Sequence, residues 1–303
     1  MKRLLLSLGL AVMCTFALSG AAFAQTAPTP TPTPVPTNPN IHVVGKDPAG
    51  NADGQIPWYS NFANTLAASW NKSFGWTVPR PLTINLYTSG IIMAADAGFY
   101  NVMPYSLDQL LTVANQPTVA VRDRRPIGPG GGNGGWIIGV NVNYTGIVSQ
   151  IAATTPPTET QGWLAYDMAT GMLQDVAGTG GPTWFRVGLA DLLANSTVPG
   201  MVEVGQRDSA WRMALGNNML PSVANINSNW DSLMGADQMT RDATYKVADQ
   251  AVFFLAQKVG VPALVGVLQK TSAGEDFQTA LQAATGYNLT TLDSAYRVTM
   301  PAY

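Results

Sequence analysis

Three oxygen-bearing side chains lie close together near the middle of the sequence: Tyr166, Asp167 and Thr170. On a helix, positions i and i+4 share a face, and we expect Tyr166, Asp167 and Thr170 to lie together on one helical face. A buried aspartate can act as a general base, and such oxygens can hold a hard cation weakly. The sequence supplies no partner acid or electrophile beside them. The simpler interpretation is that the three side chains hydrogen-bond one another.

A predicted helix–turn–helix must position these groups. The helical pattern covers residues 160 to 177, and the Gly-rich stretch "AGTGG" interrupts it. A second helix is predicted over 183 to 195. Val187 lies on this second predicted helix.

The rest of the chain predicts an α+β fold. The first half shows a helical stripe over residues 57 to 75, with Trp58, Phe62, Leu66 and Trp70 at i+4 spacing. Strand patterns occur at 41–44, 82–88, 118–123 and 135–142, which suggests a mixed sheet. Further helices are expected at 207–215, 219–224, 239–259, 261–271, 274–285 (capped by Ser272) and 289–299. Strands followed by helices indicate α+β rather than alternating α/β.

Composition excludes one class of partner. Lys and Arg total 16 and Asp and Glu total 18, which gives a net charge of -2. This balance provides no electrostatic reason to expect nucleic acid. Hydrophobic residues make up 46%, which is ample for a core, and only 11% of residues are charged.

The N-terminus has the pattern of a secretory signal peptide over residues 1–24. Lys2 and Arg3 precede an apolar run, and Ala22-Phe23-Ala24 offers a cleavage site before Gln25. The alternative is an uncleaved anchor helix. The only cysteine, Cys14, lies in this segment, so the mature protein would have no disulfide. We therefore expect a secreted or extracytoplasmic protein, with envelope association left open. If the signal is cleaved, we expect no stable membrane insertion.

A Thr-Pro repeat follows at residues 25–40, "QTAPTPTPTPVPTNPN". Proline removes backbone donors, so this linker should form a polyproline spacer or a solvated tail. The predicted domain is 41–303, sheet-rich over 41–155 and helical over 156–303. The Gly-rich stretch 124–135 lacks the Lys-Ser/Thr of a phosphate loop and is interpreted as a hairpin connection.

The second predicted helix carries a recognisable motif. "PTWFRVGLADLLA" follows the Gly-rich turn and resembles the P-x-W-x-x-E-G-L-A motif of the secreted gluzincins, the peptidase MA-like family. Residues 41–88, 207–226 and 245–297 also resemble that family's segments in order. The resemblance implies a thermolysin-like catalytic-domain architecture. In that family a His-Glu-x-x-His pair and a later glutamate hold the catalytic zinc. The residues that match the second motif are Pro182, Trp184, Gly188, Leu189 and Ala190.

This sequence departs from the family at every position that should bind or activate the metal. Tyr166 occupies the first histidine position, Asp167 the glutamate position and Thr170 the second histidine position. Val187 stands where the third ligand would be. These four are vestigial-site positions, and we predict no catalytic residue, no metal and no cofactor.

A second register of the same segment remains open. An ungapped count back from the Leu-Gln pair places Asp167, Met168 and Gly171 at the three positions instead. Neither register supplies an imidazole. The single histidine, His42, lies on the first predicted strand, so a His-His-Glu zinc site is impossible within this chain. Tyr245 matches a tyrosine at the start of the family's long helix and is a possible cleft residue.

These observations predict a secreted or envelope-exposed pseudopeptidase. Its cleft would bind a peptide or an envelope protein without cutting it. The alternatives are a hydrolase that uses non-metal chemistry around Asp167, Tyr166 and Tyr245, or a purely structural surface protein. An open cleft would favour binding, and a filled one would favour the structural role.

Overall fold

The computed structural model describes residues 37–46, 52–100, 111, 114–122, 134–143, 158–197 and 220–298. They belong to one compact unit, Val35–Tyr303. The expected signal peptide, most of the linker, the helix at 207–215 and most of the Gly-rich stretch at 124–135 lie outside the described residues.

A four-stranded mixed sheet forms the first half of the described chain. Its order is β1-β2-β4-β3, with β1, β2 and β4 parallel and β3 antiparallel to β4 at one edge. The four predicted strands are confirmed to within a residue or two at each end. The strands are β1 (Ile41–Gly45), β2 (Leu82–Tyr87), β3 (Thr118–Arg122) and β4 (Trp136–Asn141).

Helix α1 (Ile56–Phe74) packs beside the sheet and ends at Gly75, whose φ is 72°. Leu66 and Trp70 of the predicted stripe are fully buried, but Trp58 and Phe62 are only partly buried and stack on each other. The expectation of one buried stripe is therefore correct only for its second half. Steps of four residues advance about 40° beyond a full turn, so the series drifts off the buried face.

The second half of the described chain is mostly helical, which confirms the α+β class. The helices that follow β4 are α3 (Thr158–Ala177), α4 (Thr183–Thr197), α5 (Val223–Met234), α6 (Gln238–Val259), α7 (Val261–Ser272), α8 (Phe277–Thr285) and α9 (Leu289–Val298). No single helix in the described ranges is both long and apolar enough to cross a membrane. The consecutive pair α6 and α7 meets that test only jointly and is bent by 111°.

One helix was missed, and two details of the predicted helices were wrong. Helix α2 (Gly90–Tyr100) was not predicted, because its apolar sequence lacks an amphipathic period. The helix expected at 219–224 begins at Val223, because the Ser222 side chain caps it by accepting from the Asn225 amide. Ser272 ends α7 instead of capping α8; Asp276 is the cap and accepts from the Thr279 amide.

Helix α4 lies at the centre of the helical half. A Cβ atom on Gly188 would lie 2.6 Å from the Ala248 carbonyl oxygen, so only glycine allows α4 and α6 to approach this closely. Trp184 is fully buried, and its Nε1 donates to Asn227 Oδ1 at 3.0 Å. Burial of each large apolar side chain here stabilises the fold by about 1.5–3 kcal/mol. The motif residues of α4 thus serve the core.

Candidate functional site

Helices α3 and α4 are joined by a tight turn that α7 holds in place. Gly178 has a φ of 77°, and its amide donates to the Gln174 carbonyl at 3.0 Å, which ends α3. The hydroxyl of Ser272 donates to the Ala177 carbonyl at 2.6 Å and accepts from the Gly180 amide at 2.8 Å. The Gly-rich turn therefore has one arrangement, and this arrangement sets how α3 faces α4.

A cleft of about 70 Å³ lies between the two helices. Its walls bring together Tyr166 and Thr170 from α3 and Val187 from α4, which are three of the four vestigial-site positions. Ligand pockets usually measure about 300–1,000 Å³, so this α3–α4 cleft can receive one end of a ligand rather than a whole one. Its other described lining residues are Leu173, Gln174, Gly178, Thr183 and Arg186.

The expectation that Asp167 shares a helical face with Tyr166 and Thr170 is wrong, because Asp167 lies on a different side of α3. It lines a second, much smaller space of about 10 Å³ that also contacts Trp136, Met168 and Gly171. All three positions of the ungapped register therefore line that space and not the cleft. The first register, which assigns the two histidine positions to Tyr166 and Thr170, instead places both positions on one cleft with Val187, as a shared metal site would require.

The Asp167 carboxyl joins α3 to the edge strand β3. Thr118 Oγ1 donates to Asp167 Oδ2 at 2.7 Å. Loss of water around the carboxyl raises the pKa of Asp167 to about 7, and the Thr118 hydrogen bond opposes this rise. The expected mutual hydrogen bonding of Tyr166, Asp167 and Thr170 is wrong for two of them. Asp167 bonds to the sheet, and the buried Thr170 Oγ1 has no partner among the described residues.

Two other predicted residues lie elsewhere. Tyr245, on α6, makes an edge-to-face contact with Trp230 at a centroid distance of 5.6 Å. It is not among the described residues that line the cleft. His42 is exposed on β1, opposite Thr83 of β2, as an ordinary strand residue would be.

Sequence reasoning missed Arg186. This half-buried residue lines the cleft, and its Nη1 donates to the Thr179 carbonyl at 3.0 Å. Its Nε is buried and has no partner among the described residues. The available signal was a cation in the otherwise apolar run "WFRVGLA", one residue before Val187.

The described part of the chain contains no group of three or more His, Cys, Asp or Glu side chains placed to hold a metal ion. The sequence matches no protein-family model, no curated protein and no solved structure. The resemblance to the gluzincins thus rests on the motifs and their spacing.

Proposed function

We propose that this chain is an extracytoplasmic, gluzincin-like pseudopeptidase that binds a peptide segment in the α3–α4 cleft without zinc catalysis. One observation carries the proposal. Tyr166, Thr170 and Val187 come from two helices, and they line one cleft at the positions where the resemblance expects metal ligands.

The order and packing of the elements support the proposed gluzincin-like architecture. A strand–helix–strand start leads to a mixed sheet, and α3 contacts the antiparallel edge strand β3 through Asp167 and Thr118. The α3–α4 pair follows, and α6 packs closely on α4 at Gly188. The order of these elements agrees with the order of the segments that resemble the family, and this agreement supports the proposal.

The side chains in the cleft argue against zinc chemistry. Zinc in proteins takes imidazole, thiolate or carboxylate ligands, and a catalytic site keeps three of them. Here the corresponding groups are a phenol, a hydroxyl and an isopropyl group. Arg186 adds a positive charge to the same wall, and this charge repels a dication.

Zinc content and proteolysis of the purified protein test the proposal. We expect zinc far below one ion per chain after dialysis. We also expect no cleavage of a fluorescent casein substrate above the level given by the same preparation with a chelator. One zinc ion per chain together with chelator-sensitive cleavage would contradict it.

The raised pKa of Asp167, about 7, favours one second candidate, a hydrolase with this carboxyl as general base. Asp167 does not share the cleft with Tyr166, and Tyr245 contacts Trp230, so the described geometry gives this base no partner in the cleft. A hydrolase screen of the wild type and Asp167→Asn distinguishes the two. Activity that the substitution abolishes would favour the hydrolase.

A further inference from the structure

The charge of the α3–α4 cleft comes from one residue. Arg186 is the only ionised side chain among the described residues that line it, and none of these is Asp or Glu. The Thr179 carbonyl occupies Nη1 of the guanidinium, while the buried Nε–H has no described partner. A buried charged donor without an acceptor is costly, so an anionic acceptor beside this guanidinium would be favourable.

A second unpartnered group belongs to Thr170, which lines the cleft from α3. Thr170 Oγ1 is buried, has no partner among the described residues and can donate a hydrogen bond. A guanidinium N–H from α4 and a hydroxyl from α3 match an acceptor that presents two oxygens. A single cationic charge suits a monoanion, and Leu173 and Val187 add apolar wall for the carbon chain behind it.

From these two donors we infer that the α3–α4 cleft binds a carboxylate, presented by the peptide that occupies it. The inference rests on the proposed function for the choice of a peptide and on Arg186 and Thr170 for the choice of a carboxylate. The small volume fits this role, since about 70 Å³ can receive the end of a chain. A C-terminal carboxylate and an acidic side chain share this chemistry.

The side-chain Nε–H signal of Arg186 in ¹⁵N-labelled protein gives a local readout. The probes are the tripeptide Ac-Ala-Ala-Val with a free C-terminus, its C-terminal amide, the amide of Ac-Ala-Glu-Val, sodium acetate and inorganic phosphate. We expect the free acid to bind and shift the Arg186 signal. We expect the uncharged amide to bind at least about tenfold more weakly, as for loss of a charge-assisted hydrogen bond. The Glu-containing amide shows whether a side chain suffices.

Each pattern of binding supports or overturns the carboxylate inference, the proposed function or both. Equal binding of the free acid and the uncharged amide would overturn the carboxylate inference and leave the proposed function intact. Acetate binding without any peptide binding would support the carboxylate site and overturn the proposed function. Binding of phosphate alone, or of no probe, would overturn both.

Variants connect the binding to the two donors. Arg186→Gln should weaken the binding of the free acid by about tenfold or more and leave the binding of the uncharged amide unchanged. Arg186 also holds the turn at Thr179, so its substitution could disturb the fold. Thr170→Val is therefore a second test, because it removes one hydroxyl and no charge. We expect this variant to bind the free acid about three- to tenfold more weakly. Lys258→Gln, an equal loss of charge on an exposed residue at the end of α6, is the control and should retain full affinity. Unchanged binding in Thr170→Val and in folded Arg186→Gln would contradict the inference.

Discussion

At the residue scale, the Asp167 carboxyl links helix α3 to strand β3, and the pKa of this carboxyl is shifted. Burial raises its pKa from 3.8 to about 7, so the folded protein holds a proton that the unfolded chain has already released. The proton's contribution to stability is complete below pH 3.8 and is lost as the pH rises through about 7. Above that range the fold carries a buried carboxylate.

Asp167→Asn should therefore stabilise the protein at high pH. The amide oxygen can still accept from Thr118, and no charge remains to be buried. With about 1.4 kcal/mol for each pKa unit, we expect a gain on the order of 2–4 kcal/mol at pH 8 and almost none at pH 4. Urea unfolding at both values measures the difference.

Asp231→Asn is the control, because Asp231 is exposed on α5 and its loss should change the stability little at either pH. We expect the wild type to lose stability relative to Asp167→Asn between pH 4 and pH 8. If it does not, Asp167 is not a buried, protonated carboxyl group.

The same scale shows where sequence reasoning succeeds and fails. The sequence placed Tyr166, Asp167 and Thr170 on one helical face, which holds for Tyr166 and Thr170 but not for Asp167. The motif spacing assigned Val187 to the same site, and Val187 lines the same cleft. The partner of Asp167 is Thr118, which is 49 positions away, and no local pattern identifies such a pair. Arg186 was missed because a single cation in a helix is usually a solvated one, and its burial depends on the turn at Thr179.

At the element scale, the closeness of α4 and α6 depends on Gly188. Gly188→Ala would place a methyl group 2.6 Å from the Ala248 carbonyl oxygen, so one helix must shift. We expect a loss of about 1–3 kcal/mol in the free energy of unfolding. Chemical denaturation measures it.

Gly266→Ala is the matched control in α7, since an added Cβ there meets nothing within 4 Å. It should stabilise the protein by about 0.5–1 kcal/mol through helix propensity alone. If both substitutions stabilise the protein, α4 and α6 do not pack as described.

Elements with a clear period and a clear stop were predictable, such as α1 ending at Gly75 and α6 ending at Gly260. Helix α2 was not predictable, because Met93 and Ala94 are buried while Ile91 and Ile92 are exposed, so its burial does not follow hydrophobicity. Ser272 looked like a cap from its type, but its hydroxyl serves the distant turn after α3. Tertiary contacts decide such cases.

At the scale of the whole molecule, the N-terminal pattern predicts a processed, exported protein. When the chain is expressed in a bacterial host with a secretory pathway, the exported product should begin at Gln25. N-terminal sequencing and intact mass measure this. Recovery of the full-length chain in the membrane fraction would instead indicate an uncleaved anchor.

The central claim is that the α3–α4 cleft binds peptide without cleaving it. The most direct test follows the methyl signals of Val187 and Leu173 by NMR during addition of a defined mixture of short peptides, with mass spectrometry of the peptides afterwards. We predict shifts at both cleft methyl groups, unchanged signals for Val44 on β1 at the sheet edge opposite β3, and peptides recovered intact. Peptide fragments, or shifts confined to residues outside the cleft, would contradict it.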